Sequence, residues 1–343
     1  MKLDKPFKTY DEQIAHLQKT YGLRINNKHY AQRALETHSY YDLINGYKEC
    51  FINPSTNKYR DGITMEYLVA FHRLNRFIQN ILSDGSFTVE NRFKSILAYY
   101  VSQNIGERMA DYLDPNRLGF TQTKDQKELL NATLDNMRTV AHPQSNHKIA
   151  LPTRHYVKNH NHVPAWILLR NVSFSNTTTY YRFLPPKVKD LIADDMLNNS
   201  PLAVEKKKDA LIPMLHMVRK FRNVVTHNLK FITHTENYLE NMRRYQNKRF
   251  MQNLFPRSLI TNKEVLGRRK LNDAYAYILC LLMLLGKTES AYILAMNLCI
   301  TIGSWGDKLP YINFSDYARV SNLPKNLSDR LEHFQLNLLQ NLD

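Results

Sequence analysis

Residues 211–232 read LIPMLHMVRKFRNVVTHNLKFI. Apolar side chains recur at Leu211, Leu215, Val218, Phe221, Val225, Leu229 and Ile232, in steps of three and four. That is the spacing of one buried helical face. Pro213 suits the first turn of such a helix, where a missing N–H costs little. Arg222, Asn223 and His227 lie within the same stretch. At about 100° per residue, Asn223 and His227 share a face, whereas Arg222 falls close to the apolar stripe. A guanidinium there has to be paired or to face a cleft. Its partner is either a carboxylate of the core, with Glu90 as the candidate, or something that enters the cleft.

Around this helix the composition points to an all-α chain. It has 343 residues, 43% of them apolar, enough for a sizeable core. Ten glycines are few for a turn-rich β architecture. The spacing predicts helices over 10–21, from 30 onward, 65–82, 89–103, 124–140, 163–181 (with a bend), 185–199 and 327–339. Ser83–Asp84–Gly85–Ser86 is read as a break that folds 65–82 and 89–103 into an antiparallel pair. Residues 141–163, with Pro143, Pro152 and five histidines and with Pro164 just beyond, are read as irregular. The aromatic segment 37–51 is read as a packed anchor, with base stacking on Tyr40, Tyr41 and Tyr47 as the weaker alternative. Two apolar runs, 274–285 and 291–302, are too short to span a bilayer and form a buried hairpin.

The formal net charge is +16, and residues 201–270 carry 16 Lys and Arg against 5 Asp and Glu. So local a surplus points to a polyanion, because each neutralised phosphate releases counterions. The candidate RNA-binding residues are Lys206, Lys207, Lys208, Lys230, Arg243, Arg244, Lys248, Arg249, Arg268, Arg269 and Lys270. The cysteines, Cys50, Cys280 and Cys299, are isolated in sequence, and Cys280 and Cys299, set in apolar runs, read as buried free thiols. The N-terminal MKLDKPFKTY lacks the apolar core of a signal peptide, so a cytoplasmic protein is expected, with no membrane partner.

His142, His147, His155, His160 and His162 invite a metal, but no cysteine accompanies them and no pair has helical H-x-x-x-H spacing. No metal and no cofactor are expected. An Arg followed at five by a His is equally common as background. Arg24/His29 and Arg33/His38 share the spacing, and Arg154/His160 comes within one residue of it. Only Arg222 combines a polar follower, a long amphipathic helix and the basic third of the chain.

Four separated motifs carry a resemblance. They are Tyr40, Tyr41, Leu43, Gly46 and Tyr47; Glu90 with Arg92; Pro164, Trp166, Ser173 and Phe174; and Arg222, Asn223 and His227. In this order they resemble the Abi family of bacterial abortive-infection proteins, of the AbiD/AbiF type, whose core is related to HEPN ribonucleases. Ser175, Thr226 and Lys230 depart from the family's usual Gly, small residue and Arg. The resemblance implies a HEPN-like helical bundle over 63–232, an N-terminal helical segment over 1–62, and a basic linker with a C-terminal helical hairpin over 233–343. It also implies a toxin-like endoribonuclease of phage defence, restrained in some relatives by a small structured RNA.

Catalysis would then need no metal. His227 would serve as base or acid toward the 2′-OH and the leaving 5′-oxygen, since imidazole titrates near neutral pH. Arg222 would clamp the phosphate, and Asn223 would orient the imidazole or the phosphate. The products would be a 2′,3′-cyclic phosphate and a 5′-OH. One chain supplies one such set, so a homodimer with a composite site is expected. A non-catalytic RNA-binding module is the alternative, and a helical scaffold that senses a phage protein is a third reading.

Overall fold

One helix of 40 residues runs through the segment read as a break. In the computed structural model, which describes residues 3, 5–119, 123–141, 151–227, 230–306 and 312–340, the chain is all-α. In order the helices are α1 (Tyr10–Tyr21), α2 (Lys28–His38), α3 (Lys48–Phe51), α4 (Met65–Asn104), α5 (Met109–Tyr112), α6 (Lys124–Ala141), α7 (Leu151–Asn159), α8 (Ala165–Asn171) and α9 (Phe174–Arg182). They continue as α10 (Pro186–Met196), α11 (Val204–Thr226), α12 (Tyr238–Tyr245), α13 (Lys248–Gln252), α14 (Ala274–Leu285), α15 (Glu289–Gly306), α16 (Phe314–Ser321) and α17 (Leu327–Leu339). The one sheet among the described residues is a two-strand hairpin, β1 (Ile52–Asn53) antiparallel to β2 (Lys58–Tyr59). No helix of the described residues is long and apolar enough to cross a membrane.

The chain divides into two compact units. The first is Met1–Asn80 with Ile300–Lys325, and the second is Ile81–Cys299 with Asn326–Asp343. In the first, Phe51, Tyr67, Phe71 and Tyr317 pack ring on ring. Tyr47 is buried, and its hydroxyl is hydrogen-bonded to His72 Nδ1 at 3.0 Å and accepts from Asn75 Nδ2 at 2.9 Å. Asn75 Oδ1 in turn accepts from Tyr317 at 2.9 Å. Burial, then His38 and Arg76, holds His72 down at about 4, so a neutral imidazole completes this network. Tyr47 is therefore part of the core, Tyr40 is half-buried, and Tyr41 faces solvent.

In the second unit α11 is the central helix, packed on α9, α10, α12 and α14. Leu211, Leu215, Val218, Phe221 and Val225 are buried along it, and Tyr277 of α14 stacks on Phe221 at 4.9 Å. Two expectations about α11 change. It starts at Val204, so Pro213 lies in its interior. The carbonyl that loses its bond belongs to Asp209, an exposed residue. It also ends at Thr226, leaving Ile232 buried beyond it. Val224, Val225 and Thr226 are three β-branched residues in a row, and Thr226 Oγ1 donates back to the Arg222 and Asn223 carbonyls, at 2.9 and 3.3 Å.

The polar tetrad in α4 is built into the packing. Ser86 Oγ donates to the Leu82 carbonyl at 2.8 Å and meets the Tyr277 hydroxyl, which also bonds Leu82 O at 3.0 Å. Thr88 Oγ1 donates to Asp84 O at 3.0 Å. At Gly85 both α14 and α15 come close, since a Cβ there would sit 3.1 Å from Leu294 Cδ1 and 3.6 Å from Leu281 Cδ1. The Ser86 and Thr88 hydroxyls find partners inside the helix and the glycine gives room, so the helix runs on. The antiparallel pair is thus a single helix, and Glu90 lies in its interior rather than at a dipole-bearing start. Residues 151–159, read as irregular, are helical too, with Pro152 in the first turn where proline is tolerated.

Arg92 closes the far side of this unit. It donates to the carbonyls of Asp195 (2.6 Å), Met196 (3.2 Å) and Leu284 (2.8 Å), and so caps the ends of α10 and α14. Gly286, at φ 68, follows α14, and any side chain there would strike Asn198 and Arg92. Glu264 and Arg330 form a two-point pair at 3.0 Å, fastening residues 264–268 to α17. Burial pushes the Glu264 carboxyl up, but the bonds from Arg330 and Thr261 outweigh it and hold it down at about 2.

Gly85→Leu is expected to lower stability by about 1–3 kcal/mol through overpacking, and Gly85→Ala by less; thermal melts give both values. Glu264→Gln is expected to cost about 2 kcal/mol at pH 6–7. A lowered folded-state value adds stability above the ordinary glutamate value of 4.5 and loses it as pH falls toward 2. The gap in melting temperature between wild type and Glu264→Gln should therefore close across that window.

Candidate functional site

Arg222 sits on the last turn of α11, one step from the apolar stripe. Its side chain is 27% exposed, and its Nη2 lies 3.2 Å from Glu90 Oε2 of α4. The guanidinium also lies over the Phe87 ring, with Cζ 5.0 Å from the centroid. Glu90 Oε1 meanwhile holds Lys94 Nζ at 2.7 Å, one helical turn along. A single half-buried carboxylate thus serves two cations. The Nε of Arg222 is buried without a hydrogen-bond partner among the described residues. Glu90 meets the guanidinium at Nη2 and leaves Nε unbonded.

Asn223 is half-buried. His227 is the C-cap of α11, exposed, and its N–H bonds the Asn223 carbonyl at 3.1 Å. So the three candidate catalytic residues occupy one helix end. Arg222 turns toward Glu90, His227 faces solvent, and no contact joins their side chains among the described residues. The expectation that His227 rides inside the helix gives way to a cap position, for the reasons given for Thr226.

The basic candidates divide. Lys206, Lys230, Arg244, Lys248, Arg249, Arg268 and Lys270 are exposed. Lys207 is buried and bonded to Asp194 at 2.7 Å, and Lys208 pairs with Asp190 at 2.8 Å. Arg243 binds Glu240 and the Arg269 carbonyl, while Arg269 pairs with Asp273 at 3.0 Å and lies over Tyr275. Lys207 has no open surface to offer RNA, and Arg243 and Arg269 are fixed in structural roles. Sequence reading gave Lys207 and Lys208 to RNA because it could not see Asp194 and Asp190 arriving from α10, whereas the partners of Arg243 and Arg269, Glu240 and Asp273, lie three and four residues away and were a usable signal.

His155 packs edge-on against Tyr156 and His160, whose rings lie tilted to each other, on and just after α7, and His162 bonds Asn161 at 2.7 Å. His142 and His147 lie outside the described residues. No group of three His, Cys, Asp or Glu could hold a metal ion among the described residues. Lys94 was missed by sequence reading, although its place four residues after Glu90 on a helix was a usable signal.

A family model described as Abi-like protein matches residues 33–233, more than half of the chain. The matched span contains Tyr40 to Tyr47, Glu90, Trp166 and the whole of α11 with its cap. No curated protein and no solved structure matches the chain significantly. The chain is a member of the Abi-like protein family, which implies a role in abortive-infection defence against phage.

Proposed function

We propose that the protein is a HEPN-type endoribonuclease of the AbiD/AbiF type, a toxin of phage defence that cuts RNA without a metal. The observation that carries this reading is Arg222, withdrawn from water and only partly satisfied, beside the exposed His227 on one helix end. Glu90 fixes the plane of the fork, and a scissile phosphate would meet the part of the Arg222 guanidinium that stays open to solvent.

In the proposed reaction His227 takes the proton of the 2′-OH. The 2′-oxygen attacks the phosphorus, and the bond to the 5′-oxygen breaks with return of a proton. The second imidazole required comes from a second copy of the chain, so the active form is a homodimer that joins two α11 ends. A small structured RNA, held by the exposed cations, is the proposed restraint.

A second reading has one observation in its favour. Arg222 is already ion-paired and does not touch His227, as in a module that binds RNA without cutting it. Arg222→Ala and His227→Ala separate the two. Each is expected to cut cleavage by at least about 100-fold while RNA affinity falls much less, read by RNA-end sequencing, growth on expression, and binding. Cleavage in EDTA should persist and leave cyclic phosphate ends. Unchanged RNA and equal growth in wild type and both variants would sink the nuclease.

Glu90→Gln tests the support of the site. It strands the charges of Arg222 and Lys94, and should lower stability by about 1–3 kcal/mol and reduce cleavage at unchanged RNA affinity. A melting temperature equal to wild type would show that the pair does not hold Arg222.

A further inference from the structure

A cleft of about 530 Å³ opens between α4 and α8, lined by Asn91, Lys94, Ser95, Tyr99, Trp166 and Arg170. Its size lies within the roughly 300–1,000 Å³ of sites that take small ligands. Helical spacing builds it. Asn91, Ser95 and Tyr99 recur every four residues on α4, and Trp166 and Arg170 do the same on α8, so each helix turns one stripe to the cleft. Neither stripe is core. Trp166 is 51% exposed and Tyr99 60%, while Ala165, Leu168 and Leu169 bury the other face of α8.

The lining is held in place. Tyr99 is braced edge-on by Tyr100 at 5.1 Å, and the Tyr100 hydroxyl donates to Asp195 at 2.8 Å. Lys94 is fixed by Glu90 and reaches the Arg170 carbonyl at 3.5 Å, so it ties α4 to the end of α8. Among the described residues no carboxylate lines the cleft. Arg170 is exposed and has no carboxylate partner among the described residues. Two open aromatic faces, an unpaired guanidinium and two neutral polar side chains match an unpaired nucleotide: a base to stack, a phosphate to neutralise, and polar base edges to meet. An apolar peptide would not use Arg170, Asn91 and Ser95.

We propose that this cleft seats one unpaired nucleotide of a single-stranded RNA, its base on Trp166 or Tyr99 and its phosphate on Arg170. This deepens the ribonuclease reading and rests on it. The cleft is also linked to the candidate site, because Lys94 in its wall shares Glu90 with Arg222, through contacts of 2.7 and 3.2 Å. A nucleotide seated here fixes where the strand lies relative to α11, so the cleft is a positioning subsite rather than part of the reacting set.

The test uses the full chain carrying His227→Ala and a labelled, unstructured oligoribonucleotide, titrated at several salt concentrations. In that background Trp166→Ala and Tyr99→Ala are each expected to weaken binding about tenfold, and Trp166→Phe to restore most of the loss. RNA should quench tryptophan fluorescence, and Trp166→Ala should abolish most of the quench. Arg170→Ala should flatten the salt dependence by about one phosphate. Wild-type affinity and salt slope in all three alanine variants would overturn the subsite and leave the ribonuclease reading standing. No RNA binding by the parent chain at low salt would overturn both. The side chains are exposed, so melts at the wild-type temperature are expected, and Trp166→Phe guards against a folding artefact.

Discussion

Glu90 holds Lys94 through one carboxylate oxygen and Arg222 through the other, at 2.7 and 3.2 Å. None of the three side chains is more than 27% exposed. Moving three charges away from water is costly, and attraction inside the protein repays it only with close geometry. Here the geometry is supplied by two helices. Glu90 and Lys94 are one turn apart on α4, and Arg222 comes from the end of α11. The arrangement leaves one positive charge in excess and one guanidinium donor without a bond. A surplus of this kind, half-withdrawn from solvent, favours an anion nearby, and His227 stands at the same helix end.

The same constraint, that a polar group in the interior must be met, explains the other features of the second unit. Ser86 and Tyr277 converge on the Leu82 carbonyl where α4 faces α14. Arg92 collects three carbonyls at the ends of α10 and α14, and Gly286 gives it room. Arg330 reaches Glu264 through two parallel contacts. Arg92 thus finishes what two helix termini leave unbonded, whereas Ser86 and Tyr277 meet on a carbonyl in the interior of α4 and Arg330 meets a carboxylate. Hence the Glu90 and Arg92 of one motif divide their work: Glu90 serves the candidate site, and Arg92 serves the helix ends.

Legibility in the sequence followed the strength of local signals. α1 and α17 are readable to the residue because burial of one face fixes where they run, and α14 because a continuous apolar run bounded by Asp273 and Gly286 is buried all round. Glu90 as the partner of Arg222 was also readable, since a guanidinium beside an apolar stripe demands a carboxylate. Three features were not. Ser83 to Ser86 looks like a turn by composition, and only the arrival of Tyr277, Leu281 and Leu294 makes it helical. The end of α11 depends on a threonine back-bond that competes with an otherwise continuous apolar pattern. The cleft of Tyr99 and Trp166 needs two distant helices to be set side by side, which no window of sequence contains.

Charge illustrates the same limit in another way. Counted along the chain, residues 201–270 hold eleven more cations than anions. Counted in space, Asp190, Asp194 and Asp273 arrive from outside that window and take Lys208, Lys207 and Arg269. Phosphates exchange counterions only with cations they can approach, so the paired ones add to the field at a distance and little to contact. Arg170, by contrast, belongs to no basic run and stands open at the edge of an aromatic cleft. An RNA strand drawn in by the net charge would therefore be fixed by a different and smaller set of cations than the one that attracts it.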